Sequence, residues 1–325
     1  MTQTAPAPQI TANMPARHRK AIIFCCDMGY LPYAALAIEQ IATRHPDRDF
    51  DICICFNERA VTLPDSLAHL QVRLIKVSYG DLFEGLRLDQ GKSADVYLRL
   101  ALPDALAEDY DRILYLDADI LVQGGDFSAL LDSDLGGHAI GAVRDNIQWR
   151  TPNRTPPQFK LLGLPTAPYF NSGLLLIDPA KYRAKDLLNA CISLGRAETA
   201  RMIRHDQNLL NAALQGDWAE LSPLWNWQYS FSARFYADVQ GPHILHFIGQ
   251  KPWNDVRGEY PPRIRDSYTR FIAAHFPDHP APAHPARQIA PDSRRMVQML
   301  LKHLMSCRKM GRYLAKFPTD LTVLR

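Results

Sequence analysis

Two carboxylates set one residue apart, Asp117 and Asp119, carry the most chemistry for their spacing in this chain of 325 residues. They follow Ile113 to Leu116, an apolar run that reads as a strand buried on both faces. In extended backbone, residues i and i+2 point to one side, so both acids face one spot. Like charges at the end of an apolar strand are costly unless a cation lies between them. A hard divalent ion, Mn2+ or Mg2+, suits carboxylate oxygens. The competing reading is ordinary turn chemistry, because Asp is common where strands become loops.

Other polar groups stand where strands end or helices begin. Asp27 and Tyr30 follow the run Ala21 to Cys26. Asn171-Ser172-Gly173 opens a strand running to Ile177, and its glycine lets a ligand approach the backbone. His205-Asp206-Gln207 opens a helix, where capping alone would account for the acid. His246 ends a strand, with Gly249 and Lys251 just beyond it; alone, it would pass for a structural histidine. Arg99 interrupts an apolar helix, Ala94 to Leu102, and either pairs with a core acid or reaches a ligand's charge. Trp225-Asn-Trp-Gln-Tyr229 suits a sugar platform or a partly buried hairpin.

The elements that must position these residues alternate. Strands at Ala21–Asp27, 51–56, 72–77, 113–116 and 138–143 are separated by helical patterns, which predicts an α/β domain with a mostly parallel sheet. Ligands of such sheets bind beyond the carboxyl ends of the strands, where Asp27, Asp117 and Asp119 lie. Asn146 to Pro168, with Trp149, Arg150 and Arg154, reads as a long lid or binding loop, against a flexible surface insertion. Residues 1–19, rich in Pro, Ala and Thr, read as a disordered tail, and 20–276 as the catalytic domain. Residues 277–291 hold five prolines and form a stiff linker. Residues 292–325 form a basic appendage. From Ser293 to Phe317 there are seven Lys/Arg and no acid. On a helical wheel Met296, Val297, Leu300, Leu304 and Leu314 oppose Arg294, Lys302, Arg308, Lys309, Arg312 and Lys316. Such a helix reads as a membrane-surface element attracted to anionic lipid, against docking on its own domain or a partner.

Composition sets outer limits. A net charge of +3 gives no reason to expect nucleic acid. The six cysteines show no Cys-x-x-Cys spacing and read as small core residues in a reducing cytosol. No run has the length of a membrane span, and the apolar run after Lys20 is too short for a signal peptide. The expectation is a cytoplasmic protein, peripheral at the inner face of the inner membrane.

In order, Asp27 with Tyr30, Tyr97-Leu-Arg-Leu100, Leu114-Tyr-Leu-Asp-Ala-Asp119, Phe170-Asn-Ser-Gly173, His205-Asp-Gln207, and His246-Phe-Ile-Gly249 with Lys251-Pro-Trp253 resemble glycosyltransferase family 8. That family includes glycogenin and bacterial lipopolysaccharide and lipooligosaccharide galactosyl- and glucosyltransferases. The resemblance covers about residues 20 to 255. It implies a GT-A fold, a Mn2+ ion and a nucleotide-diphosphate-sugar donor, UDP-glucose or UDP-galactose. By resemblance Asp117, Asp119 and His246 hold the metal. Asp27 and Tyr30 meet the uracil, and Arg99, Asn171, Asp206 and Gln207 fix the sugar. Ala118, Ser172 and Gly249 also line the donor site, and Lys251 is a second cation for the departing UDP. The family retains anomeric configuration. Gln207 is then a weak nucleophile or a dipole behind an oxocarbenium-like centre; same-face attack by the acceptor is favoured, since an amide is a poor nucleophile. Two departures stand out: Gln250 alone separates Gly249 from Lys251, where relatives carry two residues, and Gly29 replaces a polar residue. The acceptor expected is a saccharide or glycolipid of lipopolysaccharide or surface polysaccharide.

Three rival readings remain. Phosphatases with an aspartyl nucleophile need Thr or Val where Leu121 stands. A binding protein that kept the fold and lost the chemistry would not need Asp117, Asp119, Asp206 and His246 together. Self-glucosylation needs an exposed acceptor tyrosine, and the basic tail offers only Tyr313.

Overall fold

The computed structural model describes residues 8–57, 60–90, 94–203, 205–230, 234–256, 258–283 and 293–325. Twelve strands are present among them: β1 (Gln9–Ala12), β2 (Lys20–Cys25), β3 (Asp51–Phe56), β4 (Arg73–Ser78), β5 (Arg112–Leu116), β6 (Ile120–Val122), β7 (Ile140–Arg144), β8 (Phe170–Ile177), β9 (Ala219–Leu221), β10 (Trp227–Gln228), β11 (Ile244–His246) and β12 (Val323–Leu324). Nine form one sheet in the order β1-β4-β3-β2-β5-β8-β7-β9-β12; β10-β11-β6 form a second. The block β4-β3-β2-β5 is parallel, β8 is antiparallel to β5 and β7, and β9 is parallel to β7. The mostly parallel α/β architecture agrees with the sequence pattern.

The alternation of side chains along β2 divides the core into two layers. Ile22 and Phe24 pack with the helix Leu31–Arg44 on one face. Ala21 and Ile23 pack on the other with the helices Leu98–Ala105, Leu187–Ala197 and Asp206–Leu214. Each of these four β2 residues is fully buried, and burial of a large apolar side chain is worth roughly 1.5–3 kcal/mol.

Several expectations change at the periphery. Part of the N-terminal stretch expected to be disordered is a strand: Gln9–Ala12 pairs antiparallel with β4 and covers that edge. The long segment after β7 contains the short helices Asn146–Trp149 and Pro157–Leu162. Trp225 and Trp227 are fully buried core residues rather than a platform. Residues 284–291 of the Pro-rich stretch lie outside the described residues. Beyond them, the helix Ser293–Leu314 buries Met299, Met310 and Tyr313 against the domain and leaves Val297, Leu300, Leu301, Leu304 and Met305 exposed. The chain then returns to the sheet as β12, antiparallel to β9.

Candidate active site

The acids meet where β5 gives way to β6. Asp117 follows Leu116, its N–H donates to the Gly173 carbonyl of β8 (2.9 Å), and Asp119 precedes Ile120. Ala118 between them is buried. His246 arrives on β11, paired in register with Ile120. Its Nε2 lies 3.3 Å from Asp119 Oδ1 and 3.7 Å from Asp117 Oδ2. Ligand atoms of all three residues fall within 4.8 Å of one another.

A chain of side-chain amides sets the orientation of the His246 ring. Asn171 Oδ1 accepts from the Gly173 N–H (3.1 Å), so Asn171 Nδ2 must point the other way, toward Gln207 Oε1 (3.3 Å). Gln207 Oε1 also accepts from the Ser172 N–H (3.3 Å), and Gln207 Nε2 donates to Asp145 Oδ2 (3.1 Å). Asn226 Nδ2 donates to Asn171 Oδ1 (2.9 Å), which leaves Asn226 Oδ1 facing His246 Nδ1 at 2.9 Å. That oxygen can only accept, so Nδ1 carries a proton, and in the neutral, metal-binding form of the ring the Nε2 lone pair faces the acids. Asp119 Oδ1 is buried with no hydrogen-bond partner among the described residues. Two carboxylate oxygens and an imidazole lone pair converging in this way fit a divalent cation.

The flanking cations are held by the same acids. Arg99, resting over the Tyr115 ring (4.4 Å), bridges Asp117 Oδ1 (2.9 Å) and Asp206 Oδ2 (3.2 Å). It therefore pairs with two acids of the site. Burial pushes the Arg99 guanidinium down, and Asp117 and Asp206 more than offset it. Lys251 reaches Asp119 Oδ2 directly despite the short spacing from Gly249. Burial pushes the Asp119 carboxyl up, but the imidazolium form of His246 and Lys251 outweigh it and hold the acid below the usual range.

The remaining named residues surround this cluster. Ser172 Oγ donates to Asp206 Oδ2 (2.9 Å), and Asn171, Ser172, Asp206 and Gln207 are all buried. Asp27 Oδ1 accepts from the Tyr30 N–H (3.0 Å) at the start of the helix Leu31–Arg44. The exposed Tyr30 ring stands edge-on to Trp253 (6.2 Å). Gly249 is exposed, and a Cβ there would meet nothing within 4 Å. Arg150 and Arg154 are exposed, whereas Trp149 is buried.

Sequence reasoning missed Asn226, Asp145 and Tyr115. Tyr115 donates to Asp117 Oδ1 (2.8 Å). Its place two residues before Asp117 on one strand face was the available signal; Asn226 and Asp145 gave none.

The family model described as glycosyl transferase family 8 matches residues 21–257. The chain is 30% identical over 279 residues to General stress protein A of Bacillus subtilis (strain 168), covering 78% of this chain and 92% of that protein. It is 26% identical over 250 residues to lipopolysaccharide glucosyltransferase WaaO of Escherichia coli (strain K12), covering 74% and 70%. The solved structure of the galactosyltransferase LgtC in complex with donor and acceptor sugar analogs shares the fold, with TM-score 0.63 and 22% identity over 85% of this chain and 99% of that one.

Proposed function

The chain belongs to glycosyl transferase family 8, and from that premise we propose that it transfers glucose or galactose from a UDP-sugar to a saccharide acceptor with retention of configuration. It is a glycosyltransferase related to lipopolysaccharide glucosyl- and galactosyltransferases. One observation carries the catalytic reading: the His246 Nε2 lone pair, aimed by Asn226, converges with Asp117 and the unpartnered Asp119 Oδ1.

Asp117, Asp119 and His246 would hold Mn2+ or Mg2+, which when bound neutralises charge on the departing diphosphate. Lys251 supplies the second positive charge beside it. Arg99 fixes the Asp117 and Asp206 carboxylates, so that Asp206 and Asn171 present defined acceptors and donors to the sugar hydroxyls. Asp27 and Tyr30 face the base. Gln207 Oε1 already accepts from Asn171 and Ser172, which supports an oriented dipole rather than a nucleophile and favours attack on the face UDP leaves.

The proposed setting is the cytoplasmic face of a membrane, with a glycolipid acceptor in lipopolysaccharide or surface-polysaccharide synthesis. Support comes from the exposed Val297, Leu300, Leu301, Leu304 and Met305 beside exposed Lys302, Arg308, Lys309 and Arg312. No helix among the described residues is long and apolar enough to cross a membrane.

The test is UDP release from a panel of UDP-sugars, with Mn2+ or EDTA. Hydrolysis of one donor, lost with EDTA and in Asp119→Asn, is expected. Absence of both turnover and calorimetric UDP–Mn2+ binding would sink the reading.

A further inference from the structure

The opposite end of the sheet carries a second charged site, built partly by the segment that precedes the family match. The segment joining β1 to β2 crosses the N-terminal ends of β3 and β4. There the Arg17 N–H donates to Asp51 Oδ2 (2.9 Å), and Arg73 Nε donates to the Met14 carbonyl (2.9 Å). Asp117 and Asp119 follow the carboxyl end of a strand parallel to these.

Arg17, His18, Arg48, Gln71 and Arg73 are among the residues lining a cavity there of about 120 Å³. Asp51, the one acid in its wall, is also engaged by the Tyr110 hydroxyl (3.0 Å). Arg73 is paired with Asp109 (2.8 Å). The Arg17 and Arg48 guanidinium groups donate to neutral acceptors, Gln71 Oε1 and the Leu70 carbonyl (2.7 Å) respectively, and neither guanidinium forms an ion pair within 4.0 Å among the described residues. Burial pushes the Arg48 guanidinium down; Asp51 raises it and the Arg17 charge lowers it again.

Positive charges gathered around a small polar cavity repel one another, and a bound anion would turn that repulsion into charge-assisted hydrogen bonding. The cavity has room for a tetrahedral oxyanion among these donors. We propose that Arg17, Arg48 and Arg73 form an oxyanion site for a phosphate dianion, free or as the end of a phosphate monoester. Occupancy would tie the N-terminal segment to β3 and β4, far from the catalytic acids.

The experiment is thermal unfolding of the full chain in EDTA, at ionic strength fixed with chloride, titrated with inorganic phosphate or glycerol 3-phosphate. A saturable rise in Tm is expected with phosphate. The phosphate concentration needed should increase at least tenfold in Arg17→Gln and Arg48→Gln, and stay unchanged in Asp119→Asn. Phosphorus NMR line broadening reads binding directly where a variant shifts the baseline Tm. A response to glycerol 3-phosphate as well assigns the site to monoester ends; a response to phosphate alone assigns it to the free ion. A rise no larger than chloride produces, one that survives both arginine substitutions, or one lost in Asp119→Asn overturns the proposal.

Discussion

His246 Nδ1 lies 2.9 Å from Asn226 Oδ1, and the direction of that hydrogen bond is dictated by backbone N–H groups two amides away. The imidazole is thereby kept with its Nε2 lone pair toward Asp119. Removing the acceptor in Asn226→Leu frees the ring to change tautomer or rotate. Loss of such a supporting contact typically weakens metal binding ~10–100-fold, and calorimetric titration with Mn2+ should show it. Asn226→Asp keeps an acceptor for Nδ1 and should bind Mn2+ more tightly than Asn226→Leu. Equal affinities in the two variants would count against the tautomer argument.

Gly173 is required by the same ring. A Cβ built there would lie 2.2 Å from His246 Cε1 and 2.6 Å from His246 Nδ1. Asn171 Oδ1 would lie 3.0 Å away, and both His246 and Asn171 are buried, so the ring must move. Gly173→Ala is expected to abolish measurable Mn2+ binding while destabilising the fold by only about 1–3 kcal/mol. Urea denaturation would separate the two effects, and retained Mn2+ affinity would show that the ring tolerates displacement.

Lys251 and a metal ion compete for Asp119, because the ammonium rests on Asp119 Oδ2. Lys251→Met should therefore bind Mn2+ alone more tightly and bind UDP with Mn2+ more weakly, since the second positive charge beside the diphosphate is gone. Opposite signs in two titrations of one variant make the prediction sharp. A uniform loss in both would mean that Lys251 only holds its loop.

The chemistry was legible where it follows from local geometry. Asp117 and Asp119 converge because extended backbone places i and i+2 on one face, which needs no tertiary information. His246 could be singled out only through the family resemblance, since the acids it meets are distant in the chain. Asn226 and Asp145 were invisible for a stronger reason: their roles depend on hydrogen-bond polarity passed between four segments. Trp225 and Trp227 were left between a platform and a buried hairpin because an aromatic–polar alternation looks alike on a binding face and in a core. Composition suggested disorder for Gln9–Ala12, but it carries no record of the open β4 edge that this segment covers. The wheel of the last helix identified its apolar and basic residues. Which of them dock was decided by Trp149, stacked on Tyr313 (5.8 Å, 19°), and by Tyr236, whose hydroxyl donates to the His303 carbonyl (3.0 Å).

Tyr313 anchors that helix by donating from its hydroxyl to Glu220 Oε1 (3.0 Å), the carboxylate that also pairs with the buried Arg144. Arg144 directly precedes Asp145, the acceptor for Gln207. Tyr313→Phe keeps the ring stacking and removes one hydrogen bond to a charged acceptor, worth about 1.5–3 kcal/mol. Burial, and then the Glu220 charge, hold the Tyr313 phenol well above its ordinary value of 10.0. The unfolded chain therefore loses this proton first as pH rises, so the contribution is complete below about 10 and declines above it. Urea denaturation of both proteins across that range should show the wild-type advantage over Tyr313→Phe shrinking as pH passes 10. An advantage that stayed constant would show that the phenol titrates alike in the folded and unfolded chains, and no advantage at neutral pH would place the stabilisation in ring packing rather than in the hydroxyl.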